Sequence, residues 1–138
     1  MPLGRRVSKE AMEMYEADQR LAGTHKDRLA EAAAAEDALR AAQAQGSAES
    51  GADELAVAFD KALTAVLLAA EAAERVASGP KTYAPESADP KARRAAEIAR
   101  RKAKARPAVT PWTGEVDRIR TAREQHRMAY RVRPAAAV

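Results

Sequence analysis

The residues most able to do chemistry in this chain are its cations. Arg93, Arg94, Arg100, Arg101, Lys102, Lys104 and Arg106 place seven positive charges within about four helical turns. Arg118, Arg120, Arg123, Arg127, Arg131 and Arg133 continue that character to the C-terminal end. Like charges at i, i+4 destabilise an isolated helix, so a helix built this way favours an anion to lie on. A nucleic-acid backbone would be held in a salt-sensitive and sequence-independent manner. An acidic protein surface would serve equally. Arg93, Arg94, Arg100, Arg101, Lys102, Lys104, Arg106, Arg118, Arg123 and Arg127 are therefore the expected polyanion- or partner-binding residues.

Residues for bond-making chemistry are scarce. His25 and His126 lie about a hundred residues apart, and neither sits in an H-E-x-x-H segment or beside a nucleophile with an orienting partner. The adjacent carboxylates Glu36-Asp37 and Asp53-Glu54 point about 100° apart on a helix and form no dyad. The six glycines are not clustered into a phosphate-cradling loop, and no calcium-loop pattern occurs. There is no cysteine, hence no disulfide and no thiolate metal site. The expectation is a protein that is not an enzyme, with no catalytic residues, no metal and no cofactor.

The aromatic residues of the basic half sit in or beside proline-bounded linkers. Tyr83 lies in residues 79–89 and Trp112, the single tryptophan, in residues 107–113. Too widely spaced to form a stacking platform, they are expected to plug grooves, as anchors on a partner or on the chain's own helices.

The elements that position these groups read as helices throughout. Ser8 can cap a helix that nothing but Gly23 interrupts before residue 45, and Gly23-Thr24 is where it would bend or split. Its 4-3 seam is broken by Asp18, His25 and Arg28. After a flexible connection at 46–52, a second helix carries the best apolar stripe: Leu55, Phe59, Leu63, Val66, Leu67 and Val76, broadened by Leu68. Ser78-Gly79-Pro80 ends it, and the short connection implies an antiparallel hairpin. Asp89-Pro90 starts a third helix over 90–106, whose only large apolar residue is Ile98. A fourth spans roughly 113–131, with Val116, Ile119, Ala122, His126 and Tyr130 on one face and a structureless PAAAV end. The fold class expected is all-α: a long antiparallel helical hairpin followed by two shorter helices on proline-bounded linkers.

Composition limits how such a chain is stabilised. Of 138 residues 37 are Ala, while Leu, Ile, Val and Phe together supply 19, which is below the roughly 20% of core-rich domains. A thin core predicts help from other chains, and the 55–76 stripe is the expected homo-oligomer contact as well as the core. Charge divides the chain. Residues 1–89 carry ten Lys and Arg against sixteen Asp and Glu, and residues 90–138 carry fourteen against four. The expected organisation is an acidic hairpin body over 1–79 and a basic linker-helix-linker-helix arm over 80–138. The longest apolar run, 62–70, is too short to span a bilayer, which needs about 20 residues. No secretory h-region follows the basic start, so the expected location is the cytoplasm, or a particle assembled there.

In architecture alone, helical hairpin plus basic arms, the chain is similar to small virion or connector subunits and to accessory proteins of mobile elements. The expected function is a non-enzymatic assembly or adaptor subunit whose basic arm grips a protein neighbour or a second copy. The alternatives are a nucleic-acid-binding accessory protein and a regulator of one acidic protein partner.

Overall fold

A computed structural model describes the backbone of residues 6–46 and 51–136, and side chains as far as Tyr130. The protein is all-α: the described residues form five α-helices and one 3-10 turn, with no strand. They are α1 (Lys9–Ala22), α2 (His25–Gln45), α3 (Ala52–Ser78), the 3-10 turn Pro80–Thr82, α4 (Pro90–Ala103) and α5 (Thr110–Ala136). The expected flexible connection at 46–52 falls partly on 47–50, outside the described residues, as do the side chains of Arg131 and Arg133.

Local chemistry sets the boundaries. Ser8 caps α1, its hydroxyl accepting from the Ala11 N–H at 3.1 Å. Gly23-Thr24 splits the first long helix, because the Thr24 hydroxyl donates to the Leu21 carbonyl at 2.6 Å and competes with the helical ladder there. Gly79, at φ +95°, ends α3 in a conformation that only glycine adopts without strain. The third helix stops at Ala103, short of the expected 106, since Arg106 precedes Pro107 and is steered away from helical backbone. The last helix is longer than expected at both ends. Thr110 and Pro111 fit its first turn, and Ala135 and Ala136 prolong it past Pro134.

The central helix is α3, which packs against α1, α2 and α5. Ion pairs show the directions. Asp18 of α1 meets Arg75 near the end of α3, and along α5 Arg120 meets Glu71 before Arg127 meets Asp60. The order of the two α5 pairs shows that α5 runs antiparallel to α3. Val66, Ala69, Ala70 and Ala72 are wholly buried. Their small size lets neighbouring backbones approach closely, which is how an Ala-rich chain removes area from water without large side chains.

One cluster holds the core: Leu39 of α2, Phe59, Leu63, Val66 and Leu67 of α3, and Val116 and Ile119 of α5. Three observations bear on the expectations. Beyond the expected boundary at 79/80, α5 contributes Val116 and Ile119 to the same cluster as α3. The stripe expected to meet a second copy is covered within the chain by α2 and α5, with Leu55 and Val76 half-buried at its ends. Leu68, expected on that face, points outward and is 51% exposed.

Candidate functional site

The candidate site is the outer face of α4. Asp89 caps the helix, accepting from the Ala92 N–H at 2.7 Å, with Pro90 in the first turn. One side of α4 is a row of alanines. Ala96 and Ala103 are buried and Ala92, Ala95 and Ala99 half-buried, so the helix lies close against the 3-10 turn. Arg100 Nη2 fastens it there by donating to the Thr82 carbonyl at 3.0 Å. Helical geometry turns Arg94 and Arg101 directly away from the alanine row, with Arg93 and Lys104 on one flank and Lys91 and Lys102 on the other. All six are exposed, and Arg93, Arg94, Arg101, Lys102 and Lys104 have no ion-pair partner among the described residues. Glu97 and Ile98, the latter 42% exposed, lie within this ridge.

The cations of α5 are arranged differently. Arg118 pairs with Glu115 at 2.8 Å, Arg120 with Glu71 at 3.1 Å and Arg127 with Asp60 at 2.7 Å. Arg123 is half-buried, with Nη1 3.4 Å from the Thr64 hydroxyl. Of the expected set, Arg127 thus pairs with an acid of α3, Arg118 with an acid of α5 itself, and Arg123 reaches only a hydroxyl of α3. Arg100 and Arg106 are exposed, but each reaches a backbone carbonyl, Arg106 Nη1 donating to Ser78 at 3.5 Å. Of the expected set, Arg93, Arg94, Arg101, Lys102 and Lys104 remain on one open surface.

Both aromatic anchors pack against the chain's own helices. Tyr83 is 5% exposed, its hydroxyl donates to Asp18 Oδ2 at 2.6 Å, and its ring meets Tyr15 edge-on. Burial and the Asp18 carboxylate push the Tyr83 hydroxyl well above its ordinary pKa. Trp112 packs against the core and meets the His25 ring edge-on, with centroids 5.0 Å apart.

Sequence reasoning missed the acids that lock the helices. Asp18 accepts from Arg75 Nε at 2.7 Å and Nη2 at 3.1 Å as well as from Tyr83. Burial alone would raise its pKa, but the Arg75 and Tyr83 hydrogen bonds together outweigh burial and hold it low. Asp60 is held low chiefly by its Arg127 hydrogen bond. Glu115 is held low chiefly by Arg118, opposed by burial and helped by His25, whose Nε2 donates at 2.9 Å. His126 Nε2 donates to the Ala56 carbonyl at 2.7 Å, so both histidines serve packing contacts. Glu115→Gln should lower stability by about 1 kcal/mol at pH 7, read as a shifted urea midpoint at unchanged slope.

Among the described residues no three His, Asp or Glu come together as a metal site would require. No helix among them is long and apolar enough to cross a membrane. The fold and the ridge define a class: an all-α protein that presents one cationic helix from a helical body. No protein-family model, curated protein or solved structure matches the chain.

Proposed function

We propose that this chain is a non-enzymatic helical adaptor that grips an acidic protein neighbour through α4, within a larger assembly of the cytoplasm or of a particle formed there. The observation behind this reading is the contrast between the two basic helices. Arg120 and Arg127 of α5 pair with acids of α3, whereas the ridge cations Arg93, Arg94, Arg101, Lys102 and Lys104 of α4 have no acidic partner among the described residues. Self-association is not needed to cover the core stripe, which α2 and α5 already cover.

The composition of the ridge favours protein over nucleic acid. An exposed Ile98 ringed by Arg94, Arg101 and Lys102 has the make-up of an interface centre, where an apolar or arginine anchor is enclosed by polar contacts. A duplex backbone gains nothing from Ile98 and is repelled by Glu97. The ridge spans only about 20 Å, and Arg118, Arg120 and Arg127 of α5, which would lengthen a phosphate track, are already paired with acids.

The test is fluorescence anisotropy with two labelled probes, an amphipathic Glu-rich peptide bearing a leucine stripe and a short mixed-sequence DNA duplex. The peptide should bind, and the double change Arg94→Glu, Arg101→Glu should weaken it roughly tenfold or more. Ile98→Ala should weaken peptide binding and leave any residual duplex binding untouched. Tighter binding of the duplex, lost steeply with salt, would replace this reading with the nucleic-acid one.

A further inference from the structure

We propose a second binding site, for a small phosphate-bearing ligand, in the cleft where α1, the 3-10 turn and α4 meet the end of α3. An inner pocket of about 60 Å³ has Arg75, Arg100 and Lys104 in its wall, beside Ser78, Thr82 and Glu74. That is roughly the space of two water molecules in the liquid. It shares Arg75, Thr82 and Arg100 with a wider cleft of about 410 Å³, which Met14, Ala17 and Ala84 make partly apolar.

Hydrogen-bond accounting points to an anion. The Ser78 hydroxyl donates to the Glu74 carbonyl, and the Thr82 hydroxyl donates to the Gly79 carbonyl. The Glu74 carboxylate accepts from the Thr113 hydroxyl at 2.6 Å, and the Thr82 carbonyl accepts from Arg100. The pocket's hydroxyl donors are thus committed, and one oxygen of the Glu74 carboxylate and the Thr82 carbonyl are engaged. Donor capacity remains on the cations. Arg75 uses Nε and Nη2 on Asp18 and keeps Nη1. Arg100 uses one Nη2 hydrogen, and Lys104 is unpaired among the described residues. Three cations with spare donors against one carboxylate favour a compact oxyanion, and forked guanidinium donors suit a tetrahedral phosphate.

Charge agrees with this. The Arg75–Asp18 pair is neutral, and Arg100 and Lys104 outweigh Glu74. The carbonyls at the end of α3 oppose an anion, but Arg106 already faces the Ser78 carbonyl. The phosphate would enter between Arg100 and Lys104, leaving a short organic group against Met14, Ala17 and Ala84. Inorganic phosphate and a small phosphate ester share this chemistry, and the apolar wall distinguishes them.

Thermal unfolding and calorimetric titration of the full chain test the site, using inorganic phosphate, glycerol 3-phosphate and chloride at matched ionic strength. Both phosphates should raise Tm saturably and chloride should not. Stronger binding of the ester assigns the apolar wall to its organic part, and equal binding assigns the site to free phosphate. Lys104→Met, at a side chain with no partner among the described residues, should weaken binding roughly tenfold or more. The Arg94→Glu, Arg101→Glu variant should bind as wild type, which separates this site from the outer ridge. A Tm rise that chloride reproduces, or a Lys104→Met protein that binds normally, would overturn the proposal.

Discussion

Ile119→Ala is expected to lower the free energy of unfolding by about 3 kcal/mol, within the range for truncating a buried Ile to Ala. Ile119 is 2% exposed and sits with Val116 against Phe59, Val66 and Leu39. The chain has few such residues, Leu, Ile, Val and Phe together numbering 19 of 138, so each bears a large share of the core. Small domains are stable by only about 5–15 kcal/mol, and this loss should appear as a clearly lower urea midpoint. Met128→Ala on the same helix is the control. Met128 is 64% exposed, and its removal should change stability by no more than about 0.5 kcal/mol. The comparison decides whether α5 belongs to the body. A basic arm that docks only on a neighbour would make the two substitutions equally mild in the isolated chain. A shared core makes them differ severalfold and keeps unfolding a single transition.

Helix existence was legible in the sequence because its signals are local. Ser8, Gly79-Pro80 and Asp89-Pro90 each fix a terminus by their own backbone chemistry, and the 55–76 periodicity marks a buried face whatever covers it. What covers it is not local. Val116, Ile119 and Tyr130 gave α5 one modest apolar stripe, and nothing in residues 110–130 states that the stripe returns to α3. The charge split was read as an arm seeking an external anion, yet the nearest acids were Asp60 and Glu71 in the same chain. The ridge was half legible. Arg93, Arg94, Arg101 and Lys102 stay outward because the alanines of α4 define its inner side, and helical spacing alone gives that, while Lys104 on the flank also borders the pocket beside Ser78 and Thr82. The contacts of Arg100 and Arg106 depend on the Thr82 and Ser78 carbonyls, whose positions follow from the Gly79 turn. Asp18 did carry a signal. A carboxylate at a seam position must find a partner when the seam packs, because an unpaired buried charge is costly.

That partner makes Asp18 the site of the second large effect. Asp18→Asn should cost about 2.5 kcal/mol at pH 7, because it removes charge-assisted hydrogen bonds to Arg75 and Tyr83 together. The pH dependence should change with it. Asp18, Asp60 and Glu115 are all held below their ordinary pKa in the folded chain. A group whose folded pKa is depressed contributes stability that is present above its unfolded pKa and lost as pH falls through the folded one. Stability owed to these three carboxylates should therefore be complete above about pH 5 and fall steadily below about pH 4. Asp18→Asn should be less stable at neutral pH and show a shallower acid limb, the two curves converging at low pH where wild-type Asp18 is protonated. Tyr83→Phe separates the two partners. It removes one hydrogen bond and keeps the Arg75 pair, so it should cost less and leave most of the acid limb in place. Parallel stability curves for wild type and Asp18→Asn from pH 7 to pH 3 would show that Asp18 does not titrate against folding, and the locking of α1 to α3 would then rest on packing alone.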